Sequence, residues 1–170
     1  EDADVIFCPV SITYSTQIVK LAASLGIEIP ILGGDTLDSN MVLEAAAGSD
    51  VQLYVSTFYQ EGGSPEFDEG FKAWLSEDST AMTNNGGNDT IAAVTAMGYD
   101  AYYVALEALK AAGSTDKAAV KAALPDVTYT GVSGSIAFDE QGDAIRDTAY
   151  IKTADTANNA WTLETVQTVE

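Results

Sequence analysis

An α/β fold on a parallel sheet is what this sequence predicts, and the order of its segments carries that expectation. Within the first 60 residues, short apolar runs rich in β-branched side chains alternate with helix-spaced stretches, as βαβ units require. From Gly134 onward the pattern changes to apolar–polar alternation broken by turn residues, which describes strands without intervening helices. With 170 residues and 46% hydrophobic side chains, the chain can bury a real core of about one domain.

The run DVIFCPV (4–10) reads as a buried strand, with Ser11 and Thr13 as breakers behind it. A helix follows, because Tyr14, Ile18, Leu21, Ala22 and Leu25 recur at helical spacing and Gly26 supplies a stop. IPILG (29–33) is a second short strand, so the unit predicts parallel strands joined by a right-handed crossover. After GGD, Asp38 or Ser39 is expected to cap a helix reaching about Ala47, with Gly48 ending it and VQLYVSTFY (51–59) forming a third strand. QEGGSP (60–65) is polar punctuation of the kind that marks a boundary or hinge.

Pro65 opens the next helix, whose apolar face is Phe67, Phe71, Trp74 and Leu75. The polar run EDSTAMTNNGGND (77–89) reads as a flexible loop. A longer helix is predicted over about 90–112, with Ala92, Thr95, Tyr99, Tyr102, Tyr103, Leu106 and Leu109 at helical spacing and Gly113 behind them. The tyrosines are expected in core and lobe packing rather than as a stacking platform. Thr115 or Asp116 caps one more helix to about Leu124, and GSIAFD, DTAYIKT and AWTLETVQ follow as strands around the turn EQGD.

Charge and composition remove whole classes of function. Seven Lys and Arg against 26 Asp and Glu give a net charge of −19, a field that repels phosphate backbones, so nucleic acid is excluded as a partner. The chain has no histidine, so neither a Ser-His-Asp or Cys-His nucleophile nor a histidine zinc site can be built from it. There is no G-x-x-x-x-G-K-[ST] loop for a phosphate, and FDEQGD lacks the ligand spacing of a calcium loop. No cofactor and no metal are expected. Cys8 stands alone on an apolar run, which excludes a disulfide within the chain and reads as a small core residue. No stretch reaches the ~20 apolar residues of a membrane span, and EDADVIF has neither the basic nor the long apolar region of a signal peptide. What remains is carboxylate chemistry or binding. On local chemistry alone, GGD after a strand is a turn followed by a helix cap.

Three segments in order carry a resemblance: DADVIFCPVSITYSTQIVKLAASLGIEIPILGGD, then YDAYYVALEALKAAGSTDKAAVKAAL, then YTGVSGSIAFDEQGDAIRDTAYIKT. Together they resemble the second half of a type I periplasmic-type substrate-binding protein, of the leucine/isoleucine/valine group that feeds ABC transporters. The most specific parts are the GYDA helix and the G-x-x-G-x-I-x-F-D-x-x-G-D ending. The resemblance implies parallel-sheet, three-layer lobes that close on a small ligand, present here as a fragment without enzymatic chemistry. It implies that residues 1–60 and 134–170 belong to one lobe and 61–133 to the other. It also implies an extracytoplasmic location, periplasmic or lipid-anchored, an amino acid as ligand and a membrane permease as partner.

Carried over by position, Asp35 matches the acidic residue that accepts hydrogen bonds from a ligand's α-ammonium. Ser11, Ile12, Thr13 and Tyr14 match the loop that supplies an aromatic or hydroxyl contact from the same lobe, and Val94 falls near a side-chain contact from the other lobe. A common family pattern has two adjacent aromatics where this chain has Ser11 and Ile12. Nothing in the chain corresponds to the family's first half, so exposed sheet edges are expected, covered by self-association or by pairing with that half. The alternatives are an acidic flavodoxin-like electron carrier, a carboxylate-pair hydrolase and a structural fragment that binds nothing. Against the first, SITYST lacks the glycine a phosphate loop needs and the β-rich ending breaks the alternation; against the second, spacing pairs no two acids.

Overall fold

The computed structural model describes residues 3–168. In chain order its elements are β1 (Ile6–Cys8), α1 (Ile12–Leu25), β2 (Ile31–Gly33), α2 (Asn40–Ala46), β3 (Leu53–Thr57), α3 (Pro65–Glu77), α4 (Ser79–Asn84), α5 (Ala93–Ala112), α6 (Lys117–Ala123), β4 (Tyr129–Gly131), β5 (Gly134–Phe138), β6 (Ala144–Ile145), β7 (Thr148–Asp155) and β8 (Ala160–Thr168). A 3₁₀ turn, Asp35–Leu37, lies between β2 and α2. The mixed α/β architecture and the parallel βαβαβ opening are as the sequence predicts.

β1, β2 and β3 pair in parallel, with Phe7, Leu32 and Tyr54 in one register row. β7 adds antiparallel to β3 and β8 to β7, giving the order β1-β2-β3-β7-β8. On one face of this sheet, Cys8, Ile31, Leu53 and Val55 form a single buried cluster with Val19 and Ala22 of α1 and Val42 and Ala46 of α2. The other face is open: Phe7 is 71% and Leu32 39% exposed. A small antiparallel sheet, β4-β5-β6, packs on α5 and α6 around Val104, Ala108, Val127 and Ile136. Between the two lies a third cluster of Tyr59, Ile91, Ala93 and Ala96, with Phe67 and Phe71 against it.

The helix ends follow local chemistry. Gly26 takes the left-handed conformation (φ 62°) that a Cβ would oppose, and the Ile27 N–H closes back on the Ala22 carbonyl at 3.0 Å. Of the two candidate caps for α2, Ser39 serves: its hydroxyl accepts from the Val42 N–H, and the helix ends at Ala46. Asp38 has another role, described below. Residues 77–89 are not all loop, because the Asp78 carboxylate accepts from the Thr80 and Ala81 N–H groups and starts α4. Asp116, rather than Thr115, caps α6 in the same way. α5 starts later than expected, since Ala92 is extended. Tyr102 is also not interior, standing 62% exposed, whereas Tyr99, 42% exposed, packs its ring on Phe67 of α3 with centroids 5.0 Å apart.

Candidate functional site

The carboxyl ends of parallel strands open onto a crevice, and the loops that follow β1 and β2 meet there. The Thr36 hydroxyl donates to the Val10 carbonyl at 2.9 Å, which ties the turn after β2 to the loop before α1. Gly33 is needed for this turn, because a Cβ there would overlap the Leu37 side chain, which is fully buried. Asp35 begins the 3₁₀ turn with its side chain exposed, and its carboxylate has no hydrogen bond among the described residues. Ser11 occupies the N-cap position of α1 without a side-chain cap bond, so its hydroxyl stays available. Ile12 is half-buried against the large core, whereas Thr13 and Tyr14 project from the first turn into solvent.

Beside these loops lies a cavity of about 280 Å³. Ile12, Asn40 and Met41 line it on one side, and Asn85, Ala92 and Val94 on the other. Two sequence-predicted residues 82 positions apart, Ile12 and Val94, therefore share one wall system. The described residues lining this cavity do not include Asp35, Ser11, Thr13 or Tyr14. A larger groove of about 450 Å³ runs along α3 and α5, lined by Phe67, Phe71, Trp74 and Tyr99 together with Glu66. In it the hydrogen bond with Tyr103, followed by burial, pushes the Tyr99 phenol up to about 12.

Asp38 is the residue that sequence reasoning missed. Its Oδ2 accepts from the Thr57 hydroxyl at 2.8 Å, the Lys152 ammonium at 3.0 Å and the Ala93 N–H at 3.2 Å. Both charges of the pair are buried, and Oδ1 has no partner among the described residues. No spacing rule could find this pair, because Lys152 lies 114 positions away on β7.

The two connections between the large sheet and the rest are also held by side chains. At the first, the Tyr59 phenol donates to Asp68 Oδ1 at 2.6 Å and the Gly62 N–H to Asp68 Oδ2 at 2.6 Å, while burial and then the Asp68 bond push the Tyr59 pKa upward. At the second, the Arg146 guanidinium lies 5.1 Å over the Phe58 ring and donates to the Ser133 carbonyl at 2.8 Å. Asp100, fully buried on α5, accepts from the Val132 and Ser133 N–H groups at 2.9 and 2.7 Å. A Cβ on Gly131 would overlap the Asp100 carboxylate, so that close approach depends on glycine. Among the described residues no group of three or more His, Cys, Asp and Glu side chains could hold a metal ion.

The model of a family described as periplasmic binding protein matches residues 1–159. The chain belongs to the periplasmic binding protein family. No curated protein matches it. Among solved structures, a leucine-binding protein, LivK, from Thermotoga maritima is 27% identical, with a TM-score of 0.75 over 97% of this chain and 45% of its own. An ABC transporter substrate-binding protein from Desulfitobacterium hafniense, solved with Leu, is also 27% identical, with a TM-score of 0.60 over 94% of this chain and 43% of its own. An R. palustris solute-binding protein in complex with benzoate shares the fold at 15% identity and a TM-score of 0.72, over 98% of this chain and 44% of its own. This periplasmic binding protein chain thus spans less than half the length of the structures it matches. Its family and these neighbours are solute-binding proteins, not enzymes.

Proposed function

We propose that this chain is the second half of an extracytoplasmic solute-binding protein that captures a small α-amino acid, branched-chain in the first instance, for the permease of an ABC importer. In this reading Asp35 accepts hydrogen bonds from the ligand's ammonium, Ser11, Ile12, Thr13 and Tyr14 contribute from the same lobe, and Val94 contacts the ligand side chain from the other. Residues 1–60 and 134–170 would form one lobe and 61–133 the other. Localisation follows the family, periplasmic or lipid-anchored, and no helix of the described residues is long and apolar enough to cross a membrane.

The observation that carries the reading is the pairing of an exposed carboxylate at the end of β2, without a partner among the described residues, with a neighbouring apolar-and-amide cavity. A free carboxylate at a crevice selects for cations, and a charge-assisted hydrogen bond there is worth about 1.5–3 kcal/mol. The same charge, in a chain of net −19, repels a ligand that is only an acid, which favours an amino acid over a benzoate-like ligand. The leucine named for the LivK and D. hafniense proteins supports the aliphatic choice. Pairing of the chain with the missing half, or with a second copy, completes the proposal.

The test is calorimetry with a panel of L-leucine, L-isoleucine, L-valine, polar amino acids and benzoate. Binding of aliphatic α-amino acids that is lost in Asp35→Asn is the expected result. Equal binding of benzoate and L-leucine would overturn the ammonium role.

A further inference from the structure

We propose that Asp38, Lys152 and Asn40 form a latch that holds the start of α5, and with it Val94, at a set distance from the Asp35 turn. The latch rests on the amino-acid-binding reading for its consequence, not for its geometry. Its two ends lie close in sequence to two of the proposed binding residues: Asp38 follows Asp35 by three positions, and Ala93 immediately precedes Val94.

The first contact point is the buried carboxylate. Asp38 and Lys152 side chains are 1% and 3% exposed, and Asp38 Oδ2 gathers donors from the end of β3, the middle of β7 and the start of α5 at once. α5 spans 20 residues but has only Ala92 at its N-cap position, so it has no side-chain cap of its own. Its first amides carry partial positive charge and want an anion. Asp38 supplies that anion from 55 positions away. The second point is Asn40, whose Nδ2 donates to the Asn85 carbonyl at 2.9 Å and to Asn88 Oδ1 at 2.8 Å on the segment leading into α5. Asn40, Asn85 and Val94 all line the cavity, so the latch also fixes its two walls.

A buried ion pair could serve stability alone, yet replacing both charges by apolar groups of similar size is often neutral for stability. The double substitution Asp38→Leu with Lys152→Met therefore separates the two roles, since it leaves no unpaired charge while cutting α5 loose. Wild type, Asp38→Asn and the double variant of the 170-residue chain are compared by urea denaturation, amide hydrogen exchange and titration with L-leucine. In the double variant, exchange over residues 85–96 should rise about tenfold relative to Val55, and L-leucine affinity should fall by about the same factor, the size of a modest intersite coupling. Asp38→Asn, which keeps an accepting oxygen but leaves the buried Lys152 ammonium without its counter-ion, should lower the urea midpoint more than the double variant does.

A folded double variant with unchanged exchange over 85–96 overturns the latch. Raised exchange with undiminished L-leucine affinity overturns its positioning role. If wild type itself binds no α-amino acid, the functional reading fails while the exchange comparison still decides the latch. Should the double variant not fold, Asn40→Ala, which removes only the second contact, takes its place in the same comparison.

Discussion

The two faces of the five-stranded sheet have nearly the same kind of residue and opposite fates. On one, Ile31, Leu53 and Val55 are sealed beneath α1 and α2; on the other, Phe7 and Leu32 stand side by side in register and exposed. Strands that are apolar at every position, as VIFC and IPIL are, belong to parallel sheets covered on both faces. The sequence is therefore written for a layer that the described residues do not supply. That agrees with a chain spanning less than half the length of its structural relatives.

Core truncation on the covered face should break the fold most severely. Leu53, fully buried, is expected to lose about 2–5 kcal/mol when changed to Ala, read as a lower urea midpoint at unchanged slope. Phe7→Ser on the open face should change the unfolding free energy by no more than about 0.5 kcal/mol. Similar losses at both sites would mean that the open face is covered in solution. An intermediate effect is expected from Ser39→Ala, which removes the cap of the helix that seals the covered face and should cost about 1 kcal/mol.

The open face should announce itself in association rather than stability. An exposed row of Phe7 and Leu32 on a sheet whose β1 edge has no partner strand among the described residues favours self-association, while the net charge of −19 opposes it. Added salt screens the repulsion, so light scattering should report larger mass at high ionic strength. Phe7→Lys with Leu32→Lys should return the chain to monomer at both salt concentrations. A wild-type chain that stays monomeric throughout would remove the case for a second copy on this face.

Much of this was legible because it is local. Gly26, Ser39, Pro65, Asp116 and the Asp139 turn each act within a few residues, where capping and turn rules apply. α4 escaped because its six residues carry no apolar period and its signal is a single cap, Asp78. The tyrosines of α5 show the limit of periodicity, which gives a face but not what covers it. Asp38 escaped for a deeper reason: its local chemistry is that of a cap, and the partners that bury it come from β3, α5 and β7.

Asp35 and Asp38 repeat the contrast of the two faces within one turn, and the smallest expected effect on stability tests it. Asp35→Asn removes a charge that is exposed and has no hydrogen bond among the described residues, so the unfolding free energy read from urea denaturation should stay within about 0.5 kcal/mol of wild type. The change is nearly isosteric, leaving the Thr36–Val10 bond and the buried Leu37 in place. Any loss of L-leucine binding in this variant therefore reports on the carboxylate itself, with affinity falling by the roughly tenfold or more that a charge-assisted hydrogen bond contributes. A stability loss of several kcal/mol would instead make Asp35 a structural acid like Asp38, and the functional distinction between the two would be wrong.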